Sequence, residues 1–205
     1  MLTIAFLDIE TTGLPERRFG QLYAYNQIEK YDSCRIVQIA LNVAEYCAAT
    51  GAFEIITERN FIIKPAGFLI QNTAFHGITH ERAVAEGALM QDVAAQLKRD
   101  LNKCALLVAH NIEFDKNVLL SELFRIDDAA AVVSIKRIKT FCTMMRTTDL
   151  VKMMSNYGSF KWPKLTELHY FLFRTHIADA HNAKNDVDAV TKCFAELLRH
   201  NLITL

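Results

Sequence analysis

A short segment near the middle of the chain constrains the fold most strongly, because Cys104 to Ala109 is apolar at all six positions. Successive side chains of a strand point to opposite faces of a sheet, so a strand of this composition has both faces buried. Helical spacing flanks it: apolar residues recur at every fourth position from Leu89 to Leu101, and residues 113–124 show a similar period. The segment therefore predicts a sheet covered by helices, which is the α/β class.

The order of the predicted elements indicates how this sheet is built. Three strands come first, and the turn at residues 48–51 is short enough for an antiparallel meander. Later strands alternate with helices, an order typical of parallel pairing. Strands are predicted at 2–8, 35–46, 53–63, 104–109 and 138–142, and helices opening at 79–81 and covering 89–101, 113–124, 143–153, 164–173 and 186–199. We expect one domain over residues 1–205, with a mixed five-stranded sheet (a three-strand antiparallel meander plus parallel strands) flanked by helices.

The charge balance neither favours nor excludes a polyanionic partner. The 23 basic residues equal the 23 acidic residues in number, so affinity for phosphate has to come from local basic clusters or from bound metal. The five cysteines form no C-x-x-C pair, which argues against a disulfide framework or a structural zinc site. The apolar run at residues 2–7 is too short for a signal peptide, and no stretch approaches the roughly eighteen apolar residues of a membrane span. We expect a soluble intracellular, cytoplasmic protein.

Two segments are predicted to lie on the surface, residues 15–34 and residues 125–139. The first is a long polar and aromatic excursion between two core strands. Its basic and aromatic side chains are Arg17, Arg18, Tyr23, Tyr25 and Lys30. Such a mixture suits a platform for single-stranded nucleic acid. A loop that docks a partner, or that is simply solvated, is the alternative.

The first chemical signal is Asp8-Ile9-Glu10, at the end of the first predicted strand. Positions i and i+2 of a strand share a face, so both carboxylates point the same way. Two like charges on an apolar strand are costly unless a cation neutralises them. The pair indicates a metal site, with a solvated strand end as the alternative. Thr11-Thr12-Gly13 follows, and Gly13 would permit a close approach of the backbone to a ligand.

The second signal is Asp115, where a buried strand gives way to a helix. Its carboxylate would lie in the first helical turn, near the positive end of the helix dipole. A simple capping acid is an equally good interpretation of this residue alone. Asn111 holds the better capping position and could serve both the cap and the site.

The third signal is His181 with Asp186 at the start of the last predicted helix. This spacing lets the aspartate join a metal cluster while the imidazole reaches over a substrate. Asp188 is the rival ligand, but two positions further along a helix it points to a different face. Taken alone, the pair is equally compatible with helix capping.

The three signals together, in this order, resemble the motifs of the DEDDh exonuclease family, which includes RNase T, Trex-like enzymes and the exonuclease subunit of bacterial DNA polymerase III. The matching segments are FLDIETTGL at 6–14, HGITHE at 76–81, VAHNIEFD at 108–115 and HNAKNDVDAV at 181–190. The sister DEDDy class has tyrosine four positions before the last aspartate, where this chain has Asn182. The His variant is therefore the one that the sequence supports.

The resemblance implies an RNase H-like fold and a 3′→5′ exonuclease that releases nucleoside 5′-monophosphates. It implies that Asp8, Glu10, Asp115 and Asp186 bind two divalent ions and that His181 is the general base. Carboxylate ligands favour Mg²⁺ or Mn²⁺. Further residues are implied to contact the terminal nucleotide: Thr11, Thr12, Leu14, His76, Asn111 and Phe114. For Leu14 and Phe114 a packing role is the alternative.

Single-stranded 3′ ends are the expected partner. DNA is preferred to RNA because the motif sequences resemble those of the exonuclease subunit of bacterial DNA polymerase III. An exoribonuclease is the alternative within the enzyme class, and a catalytically silent binding module is the alternative outside it. The oligomeric state is left open between monomer and homodimer. The chain departs from common members in the 15–34 insertion and in Cys142-Thr143-Met144, where many relatives have Asp-Thr-Leu. Trp162 is expected to anchor packing, with a DNA contact as the alternative.

Overall fold

The computed structural model describes residues 1–177 and 182–205. The strands in these ranges are β1 (Leu2–Thr11), β2 (Arg17–Arg18), β3 (Gln21–Leu22), β4 (Ile36–Cys47), β5 (Ala52–Ile62), β6 (Leu106–Ala109) and β7 (Lys139–Cys142). The helices are α1 (Thr73–His76), α2 (His80–Glu86), α3 (Met90–Leu101), α4 (Ile112–Arg125), α5 (Ala129–Arg137), α6 (Thr143–Arg146), α7 (Thr148–Val151), α8 (Leu165–Phe173) and α9 (Ala183–Arg199). A 3-10 helix covers Ile28–Tyr31. None of the helices in the described ranges has the length and apolarity that crossing a membrane requires.

The central sheet has the strand order β5-β4-β1-β6-β7. β1, β4 and β5 pair antiparallel, and β6 pairs in parallel with both β1 and β7. This confirms the predicted mixed five-stranded sheet with its meander and parallel strands.

Both faces of the sheet are covered, as the apolar β6 segment required. Ala5, Leu7 and Ile9 on one face of β1 belong to a core that includes α3, α4 and α5. The alternate residues of β1 pack against α9, where the ring of Phe6 meets that of Phe194 edge-to-face at 5.2 Å. Burying one such side chain contributes about 1.5–3 kcal/mol, so this pair helps to fix α9 against β1.

The surface prediction for residues 125–139 holds for most of the segment but not for the inner face of a helix within it. Most of this segment is α5, which buries Ala131, Val132 and Ile135. Asp128 caps the helix, because its carboxylate accepts a hydrogen bond from the N–H of Ala131 at 2.9 Å. The charges that suggested a surface segment lie at the end of this helix and in β7, where Lys139 is exposed.

The surface prediction for residues 15–34 holds only for the tip of the segment. β2 and β3 form a small exposed hairpin, and Phe19 at its turn is 95% exposed. At the base, Tyr31 and Cys34 are wholly buried in the core beside α4. Tyr31 also donates a hydrogen bond from its hydroxyl to the carbonyl of Tyr23 at 2.5 Å. The excursion is therefore anchored at its base.

Two smaller expectations also need correction. The helix predicted at 143–153 consists of two single turns, α6 and α7, which meet at Thr147. Trp162, expected to anchor packing, is 61% exposed.

Candidate active site

Asp8 and Glu10 lie near the carboxyl end of β1, on the face that Ile4 and Phe6 bury against α9. β6 stops early on one side of β1, since the parallel pairing ends at Phe6 opposite Val108. The last residues of β1 therefore extend past β6. Ligands collect at such strand ends in open α/β folds.

Asp186 reaches the same place from α9. The helix begins after Asn182, whose side chain accepts a hydrogen bond from the N–H of Lys184 at 3.0 Å, and Asp186 lies in the first turn. Asp8, Glu10 and Asp186 each offer a carboxylate oxygen, and these three atoms lie within 4.8 Å of one another. Two distant parts of the sequence thus supply one carboxylate cluster.

The rival residue Asp188 belongs to a different set of contacts. Its carboxylate accepts hydrogen bonds from Lys184 at 2.5 Å and from the side-chain amide of Asn42 at 2.8 Å. Lys184 also pairs with Glu58 at 2.8 Å, which ties α9 to β5. Asp188 therefore has a cationic partner on α9 and an amide partner on β4, outside the carboxylate cluster.

Asp115 lies beside the cluster in the first turn of α4 and is only 4% exposed. The backbone N–H groups of Asp115 itself and of Ile9 act on its carboxylate and lower its pKa. Its charge is the largest single influence of a neighbouring group on the pKa of Asp8. Asp115 thus connects α4 to the end of β1.

The cluster concentrates more negative charge than its surroundings favour. Burial raises the pKa of Asp8 well above its usual range, and the charges of Asp115, Asp186 and Glu10 raise it further. Burial, followed by the charge of Asp186, raises the pKa of Glu10 to about 7. Burial also raises the pKa of Asp115. Such oxygen donors fit a hard divalent cation, whose charge would favour the ionised carboxylates.

The predicted general base, His181, lies outside the described residues, as do residues 178–180. Its role therefore stays a prediction from the sequence.

The two threonines at the end of β1 donate hydrogen bonds to nearby backbone carbonyls. Thr11 donates from its hydroxyl to the carbonyl of Gly13 at 2.7 Å, and Thr12 donates to the carbonyl of Ser33 at 3.0 Å. Leu14 is 73% exposed at the same strand end. Gly13 does allow a close approach, although not to a ligand: a Cβ on Gly13 would lie 2.8 Å from the Ser33 carbonyl oxygen.

Asn111 does not cap α4 with its side chain, which corrects the expectation from the sequence. It adopts a left-handed backbone with φ 82°, and its carbonyl accepts a hydrogen bond from the N–H of Phe114 at 2.9 Å. The left-handed conformation turns the chain from β6 into α4. Phe114 is partly buried and packs against the core, which agrees with its alternative role in packing.

His76 ends α1 and is 4% exposed. Its Nδ1 accepts a hydrogen bond from the N–H of Ile78 at 3.1 Å, and burial lowers its pKa. Within the described part of the chain, its buried Nε2 has no hydrogen-bond partner. The α1 segment is tied to the strand end because Asn72 donates from its amide to the carbonyl of Thr12 at 2.9 Å.

His110 was not singled out from the sequence, although it lies within the VAHN motif. One ring nitrogen contacts the hydroxyl of Thr143 at 3.0 Å, and Nε2 donates to the carbonyl of Pro163 at 2.8 Å. Burial lowers its pKa to about 4, so the ring is neutral and suited to these contacts. His110 therefore holds the end of β7 and the segment before α8 beside α4. The position of His110 between a buried strand and a helix is the sequence feature that could have indicated this role.

A buried ion pair also escaped sequence reasoning. Arg35 contacts the Glu122 carboxylate through two guanidinium nitrogens, and its guanidinium lies 4.3 Å from the centre of the Phe68 ring. The backbone N–H of Arg35 donates to the hydroxyl of Thr12 at 2.9 Å. The pair thus links α4 to the loop that follows β1.

The fold and the site define an α/β protein with a carboxylate cluster at the end of the central strand of a mixed sheet. The RNase_T model, described as Exonuclease, matches residues 5–194, so the chain belongs to this exonuclease family. This confirms the family membership predicted from the motifs. No curated protein sequence matches the chain significantly.

Solved structures of exonuclease I share the fold. The E. coli enzyme in complex with a dT13 oligonucleotide has 19% identity and a TM-score of 0.72, over 98% of this chain and 42% of that one. Exonuclease I from Methylocaldum szegediense has 18% identity and a TM-score of 0.72, over 98% of this chain and 41% of that one. This chain therefore spans about two-fifths of these proteins. The similarity confirms the predicted RNase H-like fold.

Proposed function

We propose that this chain is a metal-dependent 3′→5′ exonuclease that hydrolyses terminal phosphodiester bonds and releases nucleoside 5′-monophosphates. The observation that carries the proposal is the carboxylate cluster of Asp8, Glu10 and Asp186, within 4.8 Å, in a member of an exonuclease family. Asp115 lies beside the cluster and influences the pKa of Asp8.

These four carboxylates would hold two Mg²⁺ or Mn²⁺ ions. The residues fit such ions, because their pKa values are raised by burial and mutual repulsion in the absence of a cation. When bound, divalent ions neutralise charge on the attacking and leaving oxygens of a scissile phosphate.

His181 would accept the proton of the attacking water, a role suited to a group that titrates near neutral pH. Leu14 would contact the terminal base, since it is exposed directly after the carboxylate strand. Thr11, Thr12, His76, Asn111 and Phe114 would complete the nucleotide pocket. The hydroxyls of both threonines already hold the strand-end loop in shape, so their contribution to binding would include its geometry.

DNA is the proposed substrate in preference to RNA. The structural neighbours include E. coli exonuclease I in complex with dT13 and with dA16 oligonucleotides. In this chain β1 extends past β6 at the end that carries the carboxylate cluster.

Degradation of matched DNA and RNA oligomers labelled at the 5′ end tests the proposal. With Mg²⁺ we expect a ladder of labelled products that shorten from the 3′ end, faster for DNA, and no products with EDTA. Immediate release of a labelled mononucleotide would contradict the polarity. Faster loss of the RNA oligomer would reverse the substrate assignment.

Two neighbouring aspartates on α9 provide a matched pair of variants. Asp186→Asn removes one member of the cluster and should nearly abolish cleavage. Asp188→Asn changes the same functional group two positions away, where the carboxylate contacts Lys184 and Asn42. It should lower stability and leave cleavage largely intact. Equal activity of the two variants would exclude Asp186 from the site.

A further inference from the structure

The turn between β2 and β3 contains a residue that its backbone conformation disfavours. Phe19 and Gly20 are the two residues between the paired Arg18 and Gln21, and both have positive φ, 51° and 81°. Two-residue hairpins of this kind strongly prefer Asn-Gly, Asp-Gly or Gly-Gly. A bulky residue in the left-handed region is strained, because its Cβ lies too close to the following carbonyl oxygen.

The fold does not compensate for this cost by packing the ring. Phe19 is 95% exposed, so its apolar surface remains in contact with water. Strain without compensating contacts is characteristic of positions selected for function. The exposed ring is therefore a candidate binding surface.

Arg18 lies beside this ring, and Arg17 contacts the backbone of the same turn. The Arg18 guanidinium lies 5.6 Å from the centre of the Phe19 ring, and Arg17 donates a hydrogen bond to the carbonyl of Gly20 at 2.8 Å. Among the described residues, no carboxylate lies within salt-bridge distance of either arginine.

The acids at the base of the hairpin have partners of their own. Glu16 pairs with Lys30 at 2.9 Å, and Asp32 pairs with Arg125 at 2.8 Å. The tip therefore combines positive charge with an aromatic surface, the chemistry that binds phosphates and stacks on bases of a single strand.

The hairpin also starts at the strand end that carries the carboxylates. The N–H of Glu16 donates to the carbonyl of Lys30 at 2.9 Å, and the hydroxyl of Ser33 donates to the carbonyl of Leu14 at 2.7 Å. Phe19 is nine positions after Glu10, which is at most about 30 Å of extended chain. The tip of the hairpin thus lies within reach of a single-stranded nucleic acid whose 3′ end occupies the carboxylate cluster.

We propose that the β2–β3 hairpin is a second nucleic-acid site, where Phe19 stacks on an internal base and Arg17 and Arg18 bind the adjacent phosphates. This site would lie upstream of the 3′-terminal nucleotide, so it rests on the proposed function. Substrate affinity should then increase with strand length until the strand reaches the hairpin.

The test compares Phe19→Asn with the wild type on single strands of 2 to 12 nucleotides and on the p-nitrophenyl ester of thymidine 5′-monophosphate. We expect kcat/KM for the longest strands to fall about 5- to 150-fold, the range for loss of one base–aromatic stack. The ester and dinucleotide have no internal base for Phe19 to stack on, so they should be cleaved as by the wild type. The melting temperature should stay level or rise, because asparagine is preferred in this turn.

Two control variants separate stacking from general effects. Phe19→Tyr keeps an aromatic ring and should retain wild-type kinetics. Val133→Asn removes a 46% exposed hydrophobic side chain on α5, next to Leu2 and Ala105 at the opposite end of β1 and β6. It should not alter the length dependence. Arg18→Ser should reduce the slope of log affinity against log salt by about 0.7, as expected for one lost phosphate contact.

Unchanged kcat/KM for Phe19→Asn at every strand length would overturn the proposal and leave the hairpin to a protein partner or to solvent. If the wild type cleaves neither oligomers nor the ester, the proposed function fails separately. Equilibrium binding of the 12-nucleotide strand then tests the proposed site on the hairpin. Equal affinity of the wild type and Phe19→Asn for this strand would also overturn the proposal.

Discussion

At the residue scale, the carboxylates of the cluster are a source of instability when no cation is bound. The pKa of Glu10 is about 7 in the folded chain, against an ordinary value of 4.5. Between these values the folded state binds the proton more tightly than the unfolded chain does, so the free energy of unfolding falls as pH rises. The raised pKa values of Asp8 and Asp115 act in the same direction.

We therefore expect the melting temperature in EDTA to fall as pH increases from about 4.5 to 7, and Mg²⁺ to restore it at neutral pH. Glu10→Gln removes one titrating group and should flatten this decrease. Thermal melts of both proteins over this pH range provide the measurement. Parallel curves for Glu10→Gln and the wild type would show that Glu10 keeps an ordinary pKa.

His181 is distinguished from the acids by separating binding from chemistry. If it is the general base, His181→Ala should bind Mg²⁺ and single strands normally and lose roughly a hundredfold or more in rate. The acidic limb of the pH–rate profile should also flatten in the variant. Normal turnover with a lowered melting temperature would instead assign His181 to capping α9.

At the element scale, the loop that leaves β1 is shaped by contacts to residues 33–35. Gly13 has room for no side chain there, because a Cβ would meet the carbonyl of Ser33 at 2.8 Å. Gly13→Ala should displace Thr12 and Leu14 and lower kcat/KM for single strands about tenfold or more, since small misplacements of substrate-positioning groups are costly. Gly51→Ala is the matched control in the β4–β5 turn: φ of 73° makes alanine strained, but the position is open and remote. Both variants should lose stability, and equal activity would show that the loop tolerates the shift.

At the scale of the whole molecule, two cores share the central sheet. Cys34 and Cys104 lie in the core that includes α3 and α4, and Cys193 is wholly buried on α9. Burial raises the pKa of Cys34 and Cys193 to about 12 and that of Cys104 to about 11, so these thiols should be unreactive in the folded protein. Cys47 has a lowered pKa because of hydrogen bonding with Thr50 and is partly exposed.

We expect a thiol reagent to label Cys47 fastest in the native state, and Cys47→Ser to remove that fast phase. In a urea series, Cys104 and Cys193 should become reactive at the same concentration, because the predicted single domain unfolds cooperatively. Mass spectrometry of the labelled peptides measures each site. Labelling of Cys193 well before Cys104 would instead show that the α9 face opens separately.

The sequence by itself determined the five strands of the central sheet, most of the longer helices and the local geometry of each acidic motif. Asp8 and Glu10 share a face because a strand has a period of two, and Asp186 differs from Asp188 because a helix turns by 100° per residue. These rules act within a few residues, so they can be applied without the fold.

The tertiary structure alone decided which distant groups meet. Asp186 joins Asp8 and Glu10 because the apolar face of α9 packs against Phe6. Tyr31 is buried, α5 enters the core and Gly13 meets Ser33 because the surrounding elements close over them. Such contacts join residues far apart in the chain, and their free energy depends on packing in three dimensions, which a local pattern of residue types does not encode.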